Sequence, residues 1–307
     1  MTFSIIVTIP ETGEMGIAVA SRFFACGAMV PYMAKDAIIA SQAFINPLWG
    51  TEGLKMIEDN KTLNEILENF KQRDQGQHSR QFHAISKKGE IVHHTGSKCV
   101  SWAGHVQGKN VSVAGNMLAG PKVVEDTMQA WMDNPDKAIA ERLLLAMEAG
   151  EAAGGDKRGK QAAGLKISNG QPYPILDLRV DDNADPLSEL RRLLHVAEER
   201  FTIFRTALPT VENFSGTSKV EIIYDGTHYE VDVHSDETIL NAALDANVDP
   251  PFACMVGACT TCRAKVNEGS VKMDDSEALT EKEIEAGYIL TCQSHPTSPV
   301  VKINYDE

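Results

Sequence analysis

Four of the six cysteines in this 307-residue chain fall in its last third, as Cys254-Met-Val-Gly-Ala-Cys259-Thr-Thr-Cys262 and, after a gap of 29 residues, Cys292. No other feature limits the fold as tightly. Three ligands on one short loop and a fourth from a distant segment is the C-x4-C-x2-C…C spacing that wraps a [2Fe–2S] cluster. Gly257 and Ala258 stand between the first two ligands. Both are small enough for backbone N–H groups to approach the cluster's sulfur atoms, and such hydrogen bonds help set its reduction potential. The plainer alternative is a structural zinc site. That site is normally built from two compact C-x2–4-C knuckles, often with histidine sharing the work. Here the second half has one cysteine only, with His295 three residues past it. The asymmetry favours an iron–sulfur cluster on Cys254, Cys259, Cys262 and Cys292. A disulfide framework is disfavoured, because nothing else in the chain reads as secreted.

The flanking residues supply the rest of a domain. Val220–Tyr224 and Tyr229–Val233 predict a hairpin over Asp225-Gly226, a strong turn dipeptide. A helix follows over Glu237–Ala246, with Ser235 as candidate N-cap and acids in its first turn. The cysteine loop, a strand at Arg263–Val266, a short helix at Glu281–Glu285 and two final strands complete the order. The stretches Pro251-Phe-Ala-Cys254, Cys259-Thr-Thr-Cys262-Arg-Ala-Lys265 and Gly287-Tyr-Ile-Leu-Thr-Cys292-Gln-Ser-His-Pro-Thr-Ser298 extend the pattern. Through them, residues 219–307 resemble the plant-type ferredoxin domain, above all the one at the C-terminal end of oxygenase reductases of the phenylacetate-CoA type. The resemblance implies a β-grasp fold, the four cysteines as iron ligands, and one-electron transfer at a low potential, on the order of −400 mV. It also implies redox partner proteins: a flavin reductase acting in trans as donor, and an oxygenase or similar enzyme as acceptor. No flavin- or nicotinamide-binding domain precedes the ferredoxin in this sequence.

Length suggests about two domains of ordinary size, and an apolar content of 43% is ample for their cores. The formal charge of −14 argues against a nucleic-acid partner. Residues 216–307 hold 6 Lys/Arg against 17 Asp/Glu, or −11, which leaves −3 for the first two thirds. An acidic electron carrier docks on basic partners by a steered, salt-sensitive encounter; the simpler reading of the charge is solubility. Met-Thr-Phe-Ser-Ile-Ile-Val lacks the features of a signal peptide, and no apolar run approaches a membrane span. Unpaired cysteines beside an iron–sulfur motif point to a reducing compartment, so the expected location is cytoplasmic.

The first two thirds alternate strand pairs with helices. Residues 3–8 and 15–21 predict a hairpin about Pro10-Glu-Thr-Gly13, and residues 25–32 and 37–43 two further strands. Leu54, Ile57, Leu63, Ile66, Leu67 and Phe70 give one helix over Thr51–Gln72. Strands are expected at Phe82–Ser86, Ile91–His94 and Asn110–Ala114. Helices over Pro121–Asp133 (proline at its first turn) and Lys137–Ala149 precede a strand at Gln161–Ile167 and a last helix over Leu187–Phe201. This order predicts an α+β fold with an αββα sandwich. Residues 206–218 have no period and contain Pro and Gly, as an interdomain linker does. The expected domains are therefore 1–205 and 219–307.

Six stretches of the first domain carry a second resemblance: Thr2-Phe-Ser-Ile, Gly16-Ile-Ala-Val-Ala-Ser-Arg-Phe-Phe24, Trp102-Ala-Gly-His105, Gly115-Asn-Met-Leu-Ala-Gly-Pro121, Gly154-Gly-Asp-Lys-Arg-Gly-Lys-Gln161 and Asp177-Leu-Arg-Val-Asp-Asp182. Over about residues 1–205 the chain resembles an uncharacterised prokaryotic family, domain of unknown function 1028, assigned to the N-terminal-nucleophile (Ntn) hydrolase fold. The resemblance makes Thr2 a candidate nucleophile. An initiator methionine before a small residue is normally removed, and a hydroxyl beside its own free amine is a known nucleophile arrangement. In that reading Ser21 and Arg22 are polar neighbours at the end of the second strand. Asn116, in a Gly-flanked loop at a helix start, offers donors to an oxyanion, and Asp156 orients the amine. The activating lysine of proteasome-type sites has no counterpart, because Val30, Pro31 and Tyr32 occupy its region and Lys35 falls in a turn. The alternative is structural: Arg22 and Asp156 as a buried ion pair, and Asn116 as a loop former.

Cys26 and Cys99 read as small buried hydrophobes, and His93, His94 and His105 lack a further ligand at metal spacing. The functional expectation is a one-electron carrier joined to an Ntn-hydrolase-like domain. The alternative is an amidohydrolase using Thr2, with the ferredoxin as a docking or regulatory module. A homo-oligomer through the N-terminal domain is expected from the habit of such domains.

Overall fold

The computed structural model describes residues 2–201, 205, 208, 210 and 216–307. The chain divides into two compact units, Met1–Ala207 and Leu208–Glu307. Residues 206, 207, 209 and 211–215 of the expected linker lie outside the described residues.

The first unit opens with the hairpin β1 (Thr2–Ile9) and β2 (Glu14–Ser21), then a one-turn helix α1 (Cys26–Met29), β3 (Pro31–Met33) and β4 (Ala37–Ala43). Helices α2 (Pro47–Glu58) and α3 (Leu63–Arg73) lead to the hairpin β5 (Arg80–Ser86) and β6 (Ile91–Thr95) and the pair β7 (Gly104–Gly108) and β8 (Val111–Asn116). Helices α4 (Lys122–Asp133) and α5 (Ile139–Ala152), strands β9 (Ala162–Ser168) and β10 (Leu176–Val180) and helix α6 (Pro186–Arg200) complete it. Two sheets result, ordered β10-β9-β2-β1-β8-β7 and β3-β4-β5-β6.

Side-chain alternation sorts the layers. Phe3, Ile5 and Val7 of β1 join Val111 and Val113 of β8 under α4 and α5, in a core with Val123, Leu143 and Met147. The opposite face of the same sheet gives Ile6, Ile17 and Val19 to a second core, shared with Ile38, Ala40 and Ile85 of the other sheet. That sheet's outer face carries Ile39, Phe82 and Ala84 against Trp49, Ile66 and Phe70 of α2 and α3. The order of layers is helix, sheet, sheet, helix. Strands with apolar neighbours on both faces are buried almost throughout, as β1 and β2 are.

The long helix expected over Thr51–Gln72 is two. Asn60 takes a left-handed backbone (φ 60°), and Thr62 restarts the helix through a capping box, accepting from the Glu65 N–H while Glu65 accepts from the Thr62 N–H. The expected strand over 25–32 is instead α1 followed by the short β3. The helix lies hard against β9: a Cβ added at Gly27 would meet the Gly164 backbone at 3.1 Å. The edge strands β7 and β10 add to the strands expected from the sequence.

The second unit pairs β11 (Thr217–Tyr224) with β12 (Thr227–His234), and β11 begins inside the expected linker. Helix α7 (Ile239–Asp245), strands β13 (Arg263–Glu268) and β14 (Val271–Met273), helix α8 (Glu281–Glu285) and strands β15 (Tyr288–Leu290), β16 (Ser294–Pro296) and β17 (Val300–Asn304) follow. The main sheet runs β12-β11-β17-β13-β15, with β11 and β17 parallel and the other pairs antiparallel. Helix α7 lays Ile239, Ala242 and Ala243 on Val220, Ile222, Val231, Val301 and Ile303 of that sheet. Its N-cap is Thr238, whose hydroxyl accepts from Asn241 N–H, so neither Ser235 nor Glu237 belongs to it. Among the described residues no helix is long and apolar enough to cross a membrane.

Candidate functional site

The loop between α7 and β13 carries Cys254, Cys259 and Cys262, and a single 3-10 turn between β15 and β16 carries Cys292. Pairing of β13 with β15, Arg263 opposite Leu290, brings the last two cysteines together. Thr291, one residue before Cys292, donates both its N–H (3.1 Å) and its hydroxyl (3.0 Å) to the Cys262 carbonyl. Cys254 and Cys259 form the other pair, with Sγ atoms 3.2 Å apart. None of the six cysteines is in a disulfide.

Two pairs, rather than one converging set, is the arrangement a binuclear cluster needs, each iron taking two thiolates. Among the described residues no three His, Cys, Asp or Glu side chains converge to suit one metal ion. His295 is engaged elsewhere, its Nε2 lying 3.0 Å from Asp274 Oδ2. Four thiolates in two pairs fit a [2Fe–2S] cluster, and the C-x4-C-x2-C…C spacing is not that of two compact zinc knuckles.

The two pairs sit in different surroundings. Cys262 and Cys292 are buried against Leu240, Leu279 and Leu290, and burial pushes the Cys262 thiol up to about 11. Cys254 and Cys259 are half-buried at the rim. The Thr261 hydroxyl, 3.4 Å from the Cys259 sulfur, and the Thr261 backbone bring that thiol down to about 6. Gly257 is held at φ 76°, and a Cβ there would lie 3.1 Å from the Gln293 side chain and 3.4 Å from Asp275 Cβ. Phe252, Met255 and Val256 around the rim pair are exposed.

In the first unit the structure brings Thr2, Ser21 and Asn116 together. Thr2 faces Asn116 in the β1–β8 register, its Oγ1 lies 3.2 Å from Ser21 Oγ, and all three are buried. Asn116 is the last residue of β8 rather than a loop residue at a helix start. Its amide donates inward to Gln81 Oε1 at 2.9 Å. Asp156 accepts from the backbone N–H of Arg22 (2.8 Å), from Arg158 N–H (2.9 Å) and from the Arg158 guanidinium (3.1 Å). The Arg22 guanidinium donates to the Arg158 carbonyl at 2.6 Å. The ion pair of Asp156 is thus with Arg158, and Arg22 meets the carboxylate through its main chain.

Sequence reasoning missed the polar half of the seam between the sheets. Gln81 Oε1 also accepts from Gln42 (2.9 Å), and Gln42 Oε1 accepts from Ser4 (2.8 Å). Since the Ser4 proton is so used, Ser4 Oγ accepts from His83 Nε2–H (2.8 Å), and His83 Nδ1 accepts from Ser112 (3.0 Å). His83 is fully buried and pushed down to about 3, by its burial and then by His105 and His93. The rings of those two lie 3.3 Å apart between centroids. The signal was the interruption of apolar strands at inward positions by Ser4, Gln42, Gln81 and His83. Cys26 is buried and pushed up to about 12, which leaves it an inert thiol.

Comparison with known proteins places both units. The profile of a family of unknown function (DUF1028) matches residues 2–190, and that of a 2Fe-2S iron-sulfur cluster binding domain matches residues 222–297. The crystal structure of a DUF1028 protein from Silicibacter pomeroyi is similar at a TM-score of 0.63 and 28% identity, covering 68% of this chain and 95% of that one. One subunit of the 1,2-phenylacetyl-CoA epoxidase of Escherichia coli is 38% identical over 110 residues, 35% of this chain and 31% of that polypeptide. Ferredoxin-2 of Synechococcus is 37% identical over 82 residues, 27% of this chain and 78% of that ferredoxin. The chain spans less than a third of the epoxidase polypeptide's length.

Proposed function

The chain belongs to the DUF1028 family and carries a C-terminal [2Fe–2S] ferredoxin unit, an electron carrier, and from that premise we propose that it accepts single electrons from a flavin reductase and delivers them to an oxygenase or a similar enzyme. The observation that carries this reading is the division of the ligands into a buried pair and a rim pair. When bound, the cluster supplies a one-electron redox centre. Cys262 and Cys292 would hold it on the side of Leu240, Leu279 and Leu290, which would keep water from those two ligands. Cys254 and Cys259 present the other side to a partner, within the apolar surface of Phe252, Met255 and Val256. Asp275, packed beside Gly257, adds negative charge at its border.

A basic partner is steered to such a surface, and salt weakens the steering. The test uses cytochrome c as a basic one-electron acceptor for the dithionite-reduced protein under anaerobic stopped flow. The bimolecular rate should fall several-fold as ionic strength rises from roughly 0.05 to 0.5 M, and a rate indifferent to salt contradicts the steering. An iron–sulfur motif beside six cysteines, none of them in a disulfide, supports a reducing compartment such as the cytoplasm. Self-association through the first unit belongs to the same proposal, and sedimentation equilibrium would show it as a mass above that of one chain.

A second reading rests on the meeting of Thr2, Ser21 and Asn116. It makes the first unit an amidohydrolase with Thr2 as nucleophile and the α-amine as base, and it requires the Asn116 amide to turn from Gln81 toward the developing oxyanion. Arg22 and Asp156 shape the turn after Ser21. Intact mass decides first, since retained Met1 leaves no free Thr2 amine. Where Met1 is lost, amide hydrolysis abolished in Thr2→Ala supports the reading, and hydrolysis unaffected by that change removes it.

A further inference from the structure

We infer that Tyr305 is a positioning residue for electron transfer: through Thr291 its phenol sets the reduction potential of the cluster held by Cys262 and Cys292. The inference rests on the electron-carrier reading and concerns a residue well apart from the cysteine loop in sequence.

Three contacts, one of the main chain and two of the side chain, fix Tyr305 just beyond β17. Its N–H donates to the Ile223 carbonyl of β11 at 2.9 Å. Its ring packs edge-on against Tyr224, with centroids 5.9 Å apart. Its hydroxyl lies 2.7 Å from Thr291 Oγ1. The direction of that last bond follows from proton count. The Thr291 hydroxyl has one proton and gives it to the Cys262 carbonyl, so Tyr305 must donate. Thr291 is fully buried, and burial pushes the Tyr305 phenol pKa above its ordinary value, which keeps the donor proton in place.

The result is a directed relay, phenol to hydroxyl to ligand carbonyl. Each O–H points its positive end along the path toward the buried pair of ligands. A donor that is itself hydrogen-bonded is strengthened, and in a low-dielectric interior the effect is larger. One-electron reduction adds one negative charge to the four-thiolate site. Oriented donors near that charge favour the reduced form and raise the potential. Removing the phenolic proton should therefore make reduction less favourable, and only while Thr291 is there to pass the effect on.

The test is a potentiometric titration of the loaded full-length protein, wild type against Tyr305→Phe, Thr291→Val and the double variant. Iron content and visible absorption are first matched to wild type, so that failure to hold a cluster is seen separately from failure to shift its potential. Tyr305→Phe should lower the reduced-to-oxidised ratio at fixed potential about threefold, which is roughly 28 mV more negative at 59 mV per tenfold for one electron. Thr291→Val should lower it at least as far, and adding Tyr305→Phe to it should change nothing further. An unchanged midpoint in Tyr305→Phe, with or without a lower melting temperature, overturns the inference. So does a shift that adds in full to that of Thr291→Val.

Discussion

At the scale of single residues, the cysteine loop is where chemistry and backbone demand the same thing. Met255 and Gly257 both take left-handed backbone, at φ 58° and 76°, so the loop turns twice within the first ligand spacing. At Gly257 a side chain is excluded twice over, by the backbone and by Gln293 at 3.1 Å. Gly257→Ala is expected to cost the loaded unit about 1–2 kcal/mol. Cluster loss to a chelator, followed by visible absorption, should be faster than in wild type by a corresponding factor. The ligands and this glycine were legible in the sequence because their spacing is set by the cluster rather than by the fold. Arg158 was not. It replaces Arg22 as the ion-pair partner of Asp156, and two basic residues flanking one acid look alike until the main chain shows which of them turns back.

At the scale of elements, the seam between the two sheets of the first unit has a pH signature. His83 on β5, His93 on β6 and His105 on β7 are all held below the ordinary histidine range, in each case first by burial. A histidine lowered in the folded state stays neutral there while the unfolded chain takes up a proton below about pH 6.5. Its contribution is thus present above that pH and is lost as the pH falls from there toward the folded value, about 3 for His83. For His83, fully buried, the slope approaches about 1.4 kcal/mol per pH unit in that window, and His93 and His105 act in the same direction. Glu151, raised by its burial, acts in the opposite sense. Denaturant unfolding of the intact protein between pH 7.5 and 5 should show the first unit weakening with acid. His83→Gln should make the slope shallower by roughly one histidine's share, and an unchanged slope would place the titration elsewhere. The helices and most strands were legible here, since their periods reflect which face is buried. What period does not record is interruption: the α2–α3 break rests on Asn60 and the Thr62–Glu65 box, and the polar seam rests on partners one to four strands away in the chain.

At the scale of the whole molecule, each unit has its own cores, and the acidic charge is concentrated in the second. The two-unit organisation was legible because the cysteine loop and the N-terminal strand pairs obey unrelated patterns. The edge strand β7 and the early start of β11 were not, because Gly104–Gly108 and Thr217–Lys219 carry little apolar alternation of their own, whereas β10 alternates as Leu176-Asp-Leu178-Arg-Val180 and did carry the signal. Electron transfer by the second unit depends on the four cysteines acting as two pairs on one binuclear cluster. The most direct measurement is iron, acid-labile sulfide and zinc content of anaerobically purified protein, with EPR before and after dithionite. About two irons and two sulfides per chain, and a paramagnetic signal appearing only on reduction, is the predicted result. One zinc per chain and no signal on reduction would contradict it.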